Sequence, residues 1–475
     1  MATITSLGIG SGIDINSIVT QLVALERRPL QLMKTDATRL REQVSSFGKM
    51  QSLYSGLQTA SNALTGASLW TRSAATSSDA SVVSSTGGDG AAAGNYAVSV
   101  QALATSQTLA SATTYTAATS LVGSGSLSFQ LGTWNADHSA FTDKPDAAAV
   151  SVELTATDTL QSLRDKINAS SAGVSASIVS DATGVRLSLR SASTGAENGF
   201  RVVAAEGGAP GLARLAYDPL SAPSDMQLSQ SAGNARAVVN GIAVVSASNE
   251  LTGVIEGLTL RLRKESATPV DIGVTSDRSA VTAAIKTFAD AYNDLSRYLG
   301  EQTRFDAASR TGGPLQGDSA VTGLQSRLRG PVNASSGASQ VFARLSDAGL
   351  ELQRDGTLKI NQTKLDGATD KLQELQTAFA NSDPADPANN GFARRFSEMA
   401  GQVLSTDGSL STRTAGLKKL IDKNTDSQTR LNDRVERFQQ RLVQQYTAMD
   451  ATVSRLNSLQ SYVSQQIAAL NRPRL

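Results

Sequence analysis

The sequence predicts an α+β multidomain chain: terminal coiled-coil helices and a helical-bundle domain, with nested β-rich domains inserted between them. Three observations carry that reading. Apolar residues step by three and four through Leu417, Leu420, Leu431, Val435, Phe438, Leu442, Tyr446, Met449, Val453, Leu456, Leu459, Val463, Ile467 and Leu470. The other end does the same through Leu22, Leu25, Leu40, Val44, Phe47, Tyr54, Leu57 and Leu64. Between them the period falls to two, as in Tyr96, Val98, Val100 and Leu127, Phe129, Leu131.

Taken in order, residues 1–70 read as N-terminal coiled-coil helices, capped at Asp14 or Asn16. Pro29 removes an amide donor, which predicts two helices meeting there rather than one rod. Glycines at 87, 88 and 90 mark the entry to a first part of an inner β domain, 71–108. A distal β-rich domain follows at 109–225, with strands at 127–131 and 150–154 and a short helix at 159–169. It also holds a hairpin around Asp181–Gly184. Pro210, Pro219 and Pro223 predict a crossing between two β domains near 205–228. The second part of the inner domain, 226–275, holds a type I′ hairpin at Asn240-Gly241. A helical domain with a hairpin (350–352 and 358–360) spans 276–410. Its first helix carries Val281, Ile285, Phe288, Tyr292, Leu295 and Leu299 and reads as bundle core; residues 300–340 read as broken by Gly and Pro, and one helix is expected across Leu365–Phe379. A C-terminal helix occupies 411–475.

A helix with a single apolar stripe is marginal in water until something covers it. Each seam Leu stabilises by roughly 1.5–3 kcal/mol once buried, against roughly 1–2 kcal/mol of backbone entropy per ordered residue. The ends are therefore expected to be loose alone and firm in an assembly. The residues assigned to that self-assembly seam are Leu22, Leu25, Leu40, Val44, Phe47, Leu57, Leu431, Phe438, Leu442, Met449, Leu456, Leu459, Val463, Ile467 and Leu470. Polar breaks at Asn424, Gln428 and Gln445 can set its register.

The 475 residues carry 43 Lys+Arg against 42 Asp+Glu, so no basic field exists to bind nucleic acid by counterion release. No stretch has the ~18 apolar residues of a membrane span, and Met1–Gly10 lacks the charged and apolar regions of a cleaved signal. The absence of cysteine excludes disulfides and thiolate chemistry, and with 4% aromatics it suits a chain threaded unfolded through an exporter. On composition alone, export and a cytosolic life both stay open.

No catalytic constellation, cofactor site or metal site is expected. Gly8-Ile-Gly10-Ser-Gly12 lacks the preceding strand of a dinucleotide loop and reads as a leader to a helix cap. His138, the only histidine, sits among Trp134, Asn135, Asp137 and Ser139 in a loop pattern. Carboxylates show no general acid–base spacing. The chain is read as a building block, not an enzyme. The Ser/Thr/Gly-rich β surfaces are compatible with plain spacers or with recognition.

The opening Ser6-Leu-Gly8-Ile-Gly10-Ser-Gly12-Ile-Asp14 resembles the start of the flagellar filament-capping (hook-associated protein 2) family, as does Leu22-Val-Ala-Leu25-Glu26 with Pro29 after it. Gly313-Pro-Leu315-Gln-Gly317-Asp318-Ser319, Leu345-Ser-Asp347-Ala-Gly349-Leu350, Asp355-Gly356-Thr357-Leu358 and Ser409-Leu410…Arg413 follow in the family's order. Residues 159–200 look like the small repeat of flagellin and hook proteins, through Leu160, Ile167, Asn168, Gly173 and Val174. The resemblance implies a homo-oligomeric, pentamer-like ring at the distal tip of the flagellum, outside the cell, that prevents flagellin loss and promotes its folding and insertion. It also implies flagellin, the hook–filament junction proteins, the flagellar type III export apparatus and an export chaperone as partners, with no nucleic acid and no membrane insertion. The rival reading is an adhesin binding host mucin or glycans through the β domains.

Overall fold

The structure, a computed structural model, describes residues 14–221, 225–308 and 310–470. The chain divides into two compact units, Met1–Gly66 with Val281–Leu475, and Ala67–Ala280.

Helix α1 (Ile15–Thr65) opens the first unit, its N-terminus capped by Asp14, which accepts from the Ser17 amide at 2.9 Å. It runs unbroken through Pro29, which corrects the two-helix expectation. Pro29 lies on the exposed face, where water can serve the Leu25 carbonyl it orphans, while Val23 and Leu30 on the opposite face are held by packing.

The second unit begins with α2 (Ala67–Thr71), β1 (Ser73–Ser77), β2 (Val83–Gly87) and β3 (Gly94–Ala102). Then come β4 (Thr108–Ser111), β5 (Gly125–Trp134), β6 (Phe141–Asp143), β7 (Val150–Leu154) and α3 (Leu160–Ala169). Strands β8 (Val174–Asp181), β9 (Gly184–Ser191), β10 (Gly199–Glu206) and β11 (Met226–Gln230) complete an outer β body. The chain returns through β12 (Ala235–Val239), β13 (Ile242–Ser246), β14 (Glu250–Ile255), β15 (Leu258–Leu262) and β16 (Ser266–Ser276).

Two nested cores result. The inner one lies between a sheet of order β1-β16-β3-β12-β13 and a sheet of order β14-β15-β2, filled by Val83, Val98, Val100, Leu260 and Ile272. The outer one joins β10-β5-β6, with β7 also on β5, to β11-β4-β9-β8 and α3, around Leu127, Phe129, Leu163, Leu187 and Phe200. Asn240 (φ 47°) and Gly241 (φ 84°) make the expected hairpin turn between β12 and β13. The proline-marked stretch is no crossing: Leu212, Leu215 and Tyr217 are buried in the outer core, because a short helical turn folds them back onto β10. Strand β11 pairs with β4, so the outer body extends past the boundary expected near residue 225. Pro223 and the Gly8–Gly12 leader lie outside the described residues.

The first unit resumes with α4 (Arg278–Thr303), β17 (Phe305–Asp306), β18 (Thr311–Gly312) and α5 (Ser319–Asn333). The hairpin β19 (Leu350–Leu352) and β20 (Leu358–Ile360) follows, then α6 (Gln362–Thr369), α7 (Leu372–Ala380), α8 (Phe392–Leu404) and α9 (Ser409–Leu470). Helix α5 passes through the region expected to be broken; its apolar face, Val321, Leu324, Leu328 and Val332, outweighs Gly323 and Gly330, and Pro331 sits in the last turn. The single helix expected over 365–379 is two, because the chain leaves helical register at Asp370–Lys371.

Candidate assembly surface

The expected seam divides into three parts with different surroundings. Leu40, Phe47 and Leu57 are buried in the chain's own helical unit, and Val44 is half-buried there. They share that interior with Met50, Tyr54 and Leu64. Side chains tie this half of α1 down: the Tyr54 hydroxyl donates to the Leu324 carbonyl at 3.2 Å, and the Gln43 amide donates to the Pro314 carbonyl at 3.1 Å. The Ser397 hydroxyl donates to Asn62 Oδ1 at 2.5 Å. Burial pushes the Tyr54 phenol up, and that of neighbouring Tyr292 to about 12, as expected of hydroxyls in an apolar interior. For this part the assembly reading is corrected: Leu40, Phe47 and Leu57 are domain core, closed off by α8 and its neighbours. Helix α8 went unread in the sequence, although Phe392, Phe396, Ala400 and Val403 form one apolar face at spacings of four, four and three.

The middle part pairs α1 with α9 in antiparallel fashion. Ile15, Val19, Val23 and Leu30 pack with Leu431, Val435 and Leu442, flanked by half-buried Leu22, Phe438 and Tyr446. Polar groups keep the register constant. Glu26 meets Arg434 at 3.5 Å, and ten residues further along α1 Asp36 accepts from Asn424 at 3.3 Å, ten residues back along α9. Asn424 Oδ1 also accepts from Gln428 Nε2 at 2.5 Å, so two of the three predicted polar breaks lie in the seam, while Gln445 is exposed. The sequence reading picked Leu22 and Leu25, whereas the structure buries Ile15, Val19 and Val23 and leaves Leu25 exposed. The spacing of four between those three was the available signal.

The third part is open. From 447 to 467 no residue of α9 is buried. Met449, Leu459 and Val463 are exposed; Leu456 shows 60% and Ile467 55% of its surface. Leu470 is helical, but its side chain lies outside the described residues. Only Asp450 and Arg455 carry charge between 442 and 467, so this stretch presents an apolar stripe on a neutral polar background.

Two polar clusters lie in the second unit. His138 Nε2 lies 3.3 Å from the Ser231 hydroxyl, and its ring sits 5.4 Å from Trp134. Asp158, below the start of α3, accepts from the Thr155 amide at 2.7 Å, the Ser162 hydroxyl at 2.7 Å and Lys166 at 2.7 Å. Burial raises its pKa, but these donors together outweigh burial and hold the carboxyl well below its ordinary range. Among the described residues no cluster of His, Asp or Glu could hold a metal, and no helix is long and apolar enough to cross a membrane.

Comparison with known proteins places this architecture. The pattern "Flagellar hook-associated protein 2 N-terminus" matches residues 11–107 and "Flagellar hook-associated protein 2 C-terminus" residues 232–458. "Flagellin hook IN motif" matches 139–193, earlier than the 159–200 expected from sequence. The flagellar hook-associated protein 2 of Escherichia coli O157:H7 is 30% identical over 478 residues, covering 98% of each chain. The A-type protein of Pseudomonas aeruginosa is 30% identical over 498 residues, covering 99% of this chain and 98% of its own. Among solved structures, the D1-D2-D3 domains of the flagellar cap protein FliD from Escherichia coli superpose with a TM-score of 0.62 at 28% identity, over 78% of this chain and 99% of that one. Helical ends, nested β bodies and full-length similarity converge: the chain belongs to the flagellar hook-associated protein 2 family.

Proposed function

We propose that this protein caps the distal tip of a flagellar filament as a homo-oligomeric ring, retaining flagellin and sheltering each subunit as it folds and inserts. The observation that carries the reading is the uncovered stripe Met449–Ile467, on a helix whose preceding segment is paired and whose chain belongs to a family of flagellar caps. An apolar face left open on a long neutral helix suits reversible packing against filament helices. Such packing has to release as each subunit is added, so it must fall well short of the tightest non-covalent complexes, at about −18 to −21 kcal/mol. Self-association and contact with the hook–filament junction proteins fit the same helix chemistry. Passage through the flagellar export apparatus with a chaperone fits the cysteine-free composition.

The test is filament growth from purified flagellin and hook-bearing cells lacking a cap. Protein shortened by residues 447–475 should keep its fold and fail to support elongation; normal growth with the shortened protein would reject the role given to the stripe.

A further inference from the structure

The second unit has several strand edges, and nearly all carry a device that blocks pairing. β1 is closed against β2 by the Ser73 amide donating to the Gly88 carbonyl at 3.0 Å and the Ser77 hydroxyl donating to the Val83 carbonyl at 2.6 Å. β14 is bulged between Thr252 and Ile255, with Gly253 at φ 74° and an exposed Glu250. β11 shifts register between Leu228 and Gln230, and β6 has three residues. β10 is covered by the Tyr217 amide bridge, and Lys166 donates to the Glu153 carbonyl of β7 at 3.0 Å. β8 carries Ser175, Ser177, Ser180 and Asp181. Such bulges, charges and short strands are how soluble sheets avoid adding a strand.

β13 has none of them. Its sequence Ile242-Ala-Val-Val-Ser246 contains no charge, no proline and no bulge against β12. The hairpin register turns residues 242, 244 and 246 toward β12, leaving the amides and carbonyls of Ala243 and Val245 facing outward. No backbone partner for these two is found among the described residues. Ile242 shows 69% and Val245 63% of its surface.

We infer that β13 pairs antiparallel with β13 of a second copy of this chain, joining two sheets into one across a two-fold axis at Val244. Pairing about Val244 sets Ala243 opposite Val245 of the partner, so both outward-facing residues of each strand exchange two hydrogen bonds. Ile242 then faces Ser246 of the other copy, and the two Val244 side chains meet. A copy is the occupant because self-pairing normally brings like charges together, and this strand carries none; β8 or β14 would meet its own Asp181 or Glu250. The contact is isologous and so distinct from the head-to-tail contacts that close a ring. It stands whether or not the capping reading does.

The full chain, free of natural cysteine, makes the test direct. The mass of the wild type and of Val245→Lys is measured by light scattering after gel filtration at tens of micromolar. The expected result is a twofold lower mass for Val245→Lys with an unchanged circular dichroism spectrum, whatever the size of any ring. Val244→Cys should form a disulfide-linked dimer under mild oxidation, whereas Ser177→Cys, on the β8 edge, should not. Equal masses for the wild type and Val245→Lys, or no faster cross-linking of Val244→Cys than of Ser177→Cys, would overturn the pairing. Loss of ring formation alone leaves the Val244→Cys cross-link intact, so the two ideas fail separately.

Discussion

Arg413, the fifth residue of α9, directs Nε (3.1 Å) and Nη2 (2.7 Å) at one oxygen of Asp318, while the other oxygen accepts from the Ala320 amide at 2.9 Å. Asp318 therefore caps α5 and anchors the long helix that bears the open stripe. Only 7% of its side chain is exposed.

Asp318→Ala should destabilise the helical unit by about 2 kcal/mol through loss of the cap and of the charge-assisted bonds. Arg413→Ala should cost less, since Asp318 keeps its capping bond from the Ala320 amide and truncating the partly exposed arginine opens the carboxylate to water. Calorimetry of the full-length variants checks the order; an equal or reversed ranking would refute it.

Leu431→Ala and Val19→Ala should loosen the α1–α9 pairing by about 1–3 kcal/mol, because both side chains are buried against each other's helix. Leu456→Ser with Val463→Ser should leave thermal unfolding unchanged while filament elongation fails. The comparison of melting curves with growth assays separates packing inside the chain from packing outside it.

Asp158 predicts a pH response of the outer β body. Its folded-state pKa lies below the unfolded value of about 3.9. The unfolded state therefore binds more protons as pH falls through that region. The stabilisation is complete above the unfolded value and is lost progressively toward the folded one. Asp158→Asn should lower the melting temperature at pH 7 and flatten its decline between pH 5 and pH 3, measured by near-ultraviolet circular dichroism. Parallel curves for the two proteins would show that other carboxylates dominate.

Gly257, at φ 68°, lies where an added Cβ would come 2.4 Å from the Ala91 amide nitrogen and 2.5 Å from the Asp89 carbonyl oxygen. Its own carbonyl accepts from the Gly88 amide at 2.7 Å. Gly257→Ala should therefore cost more than the ~1 kcal/mol of left-handed strain alone, because the β14–β15 turn must also retreat from backbone. Hydrogen exchange at Gly88 should accelerate; unchanged protection there would contradict the argument.

Much of the fold was legible because it rests on local periodicity. The period of two in β3 and β5, the Asn240-Gly241 turn and the heptad spacing of α9 are each written within a few neighbouring residues. Pro29 and Pro331 misled because a local penalty of ~3 kcal/mol is outweighed by packing on the opposite helix face. Leu212 and Leu215 were missed as core for a related reason: prolines nearby mark turns but say nothing of what the turn covers.

The candidate surface divides along the same line. That α1 and α9 each carry an apolar stripe, and that the chain resembles filament caps, was determined by the order of residues alone. Which parts of the stripe are open was decided only in three dimensions, since burial is a property of neighbours brought from elsewhere in the chain. Phe47 and Leu456 both lie on an apolar helix stripe, yet one is enclosed by α8 and its neighbours and the other meets water. A repeat can state that a side needs covering; only the folded chain shows whether it has been covered.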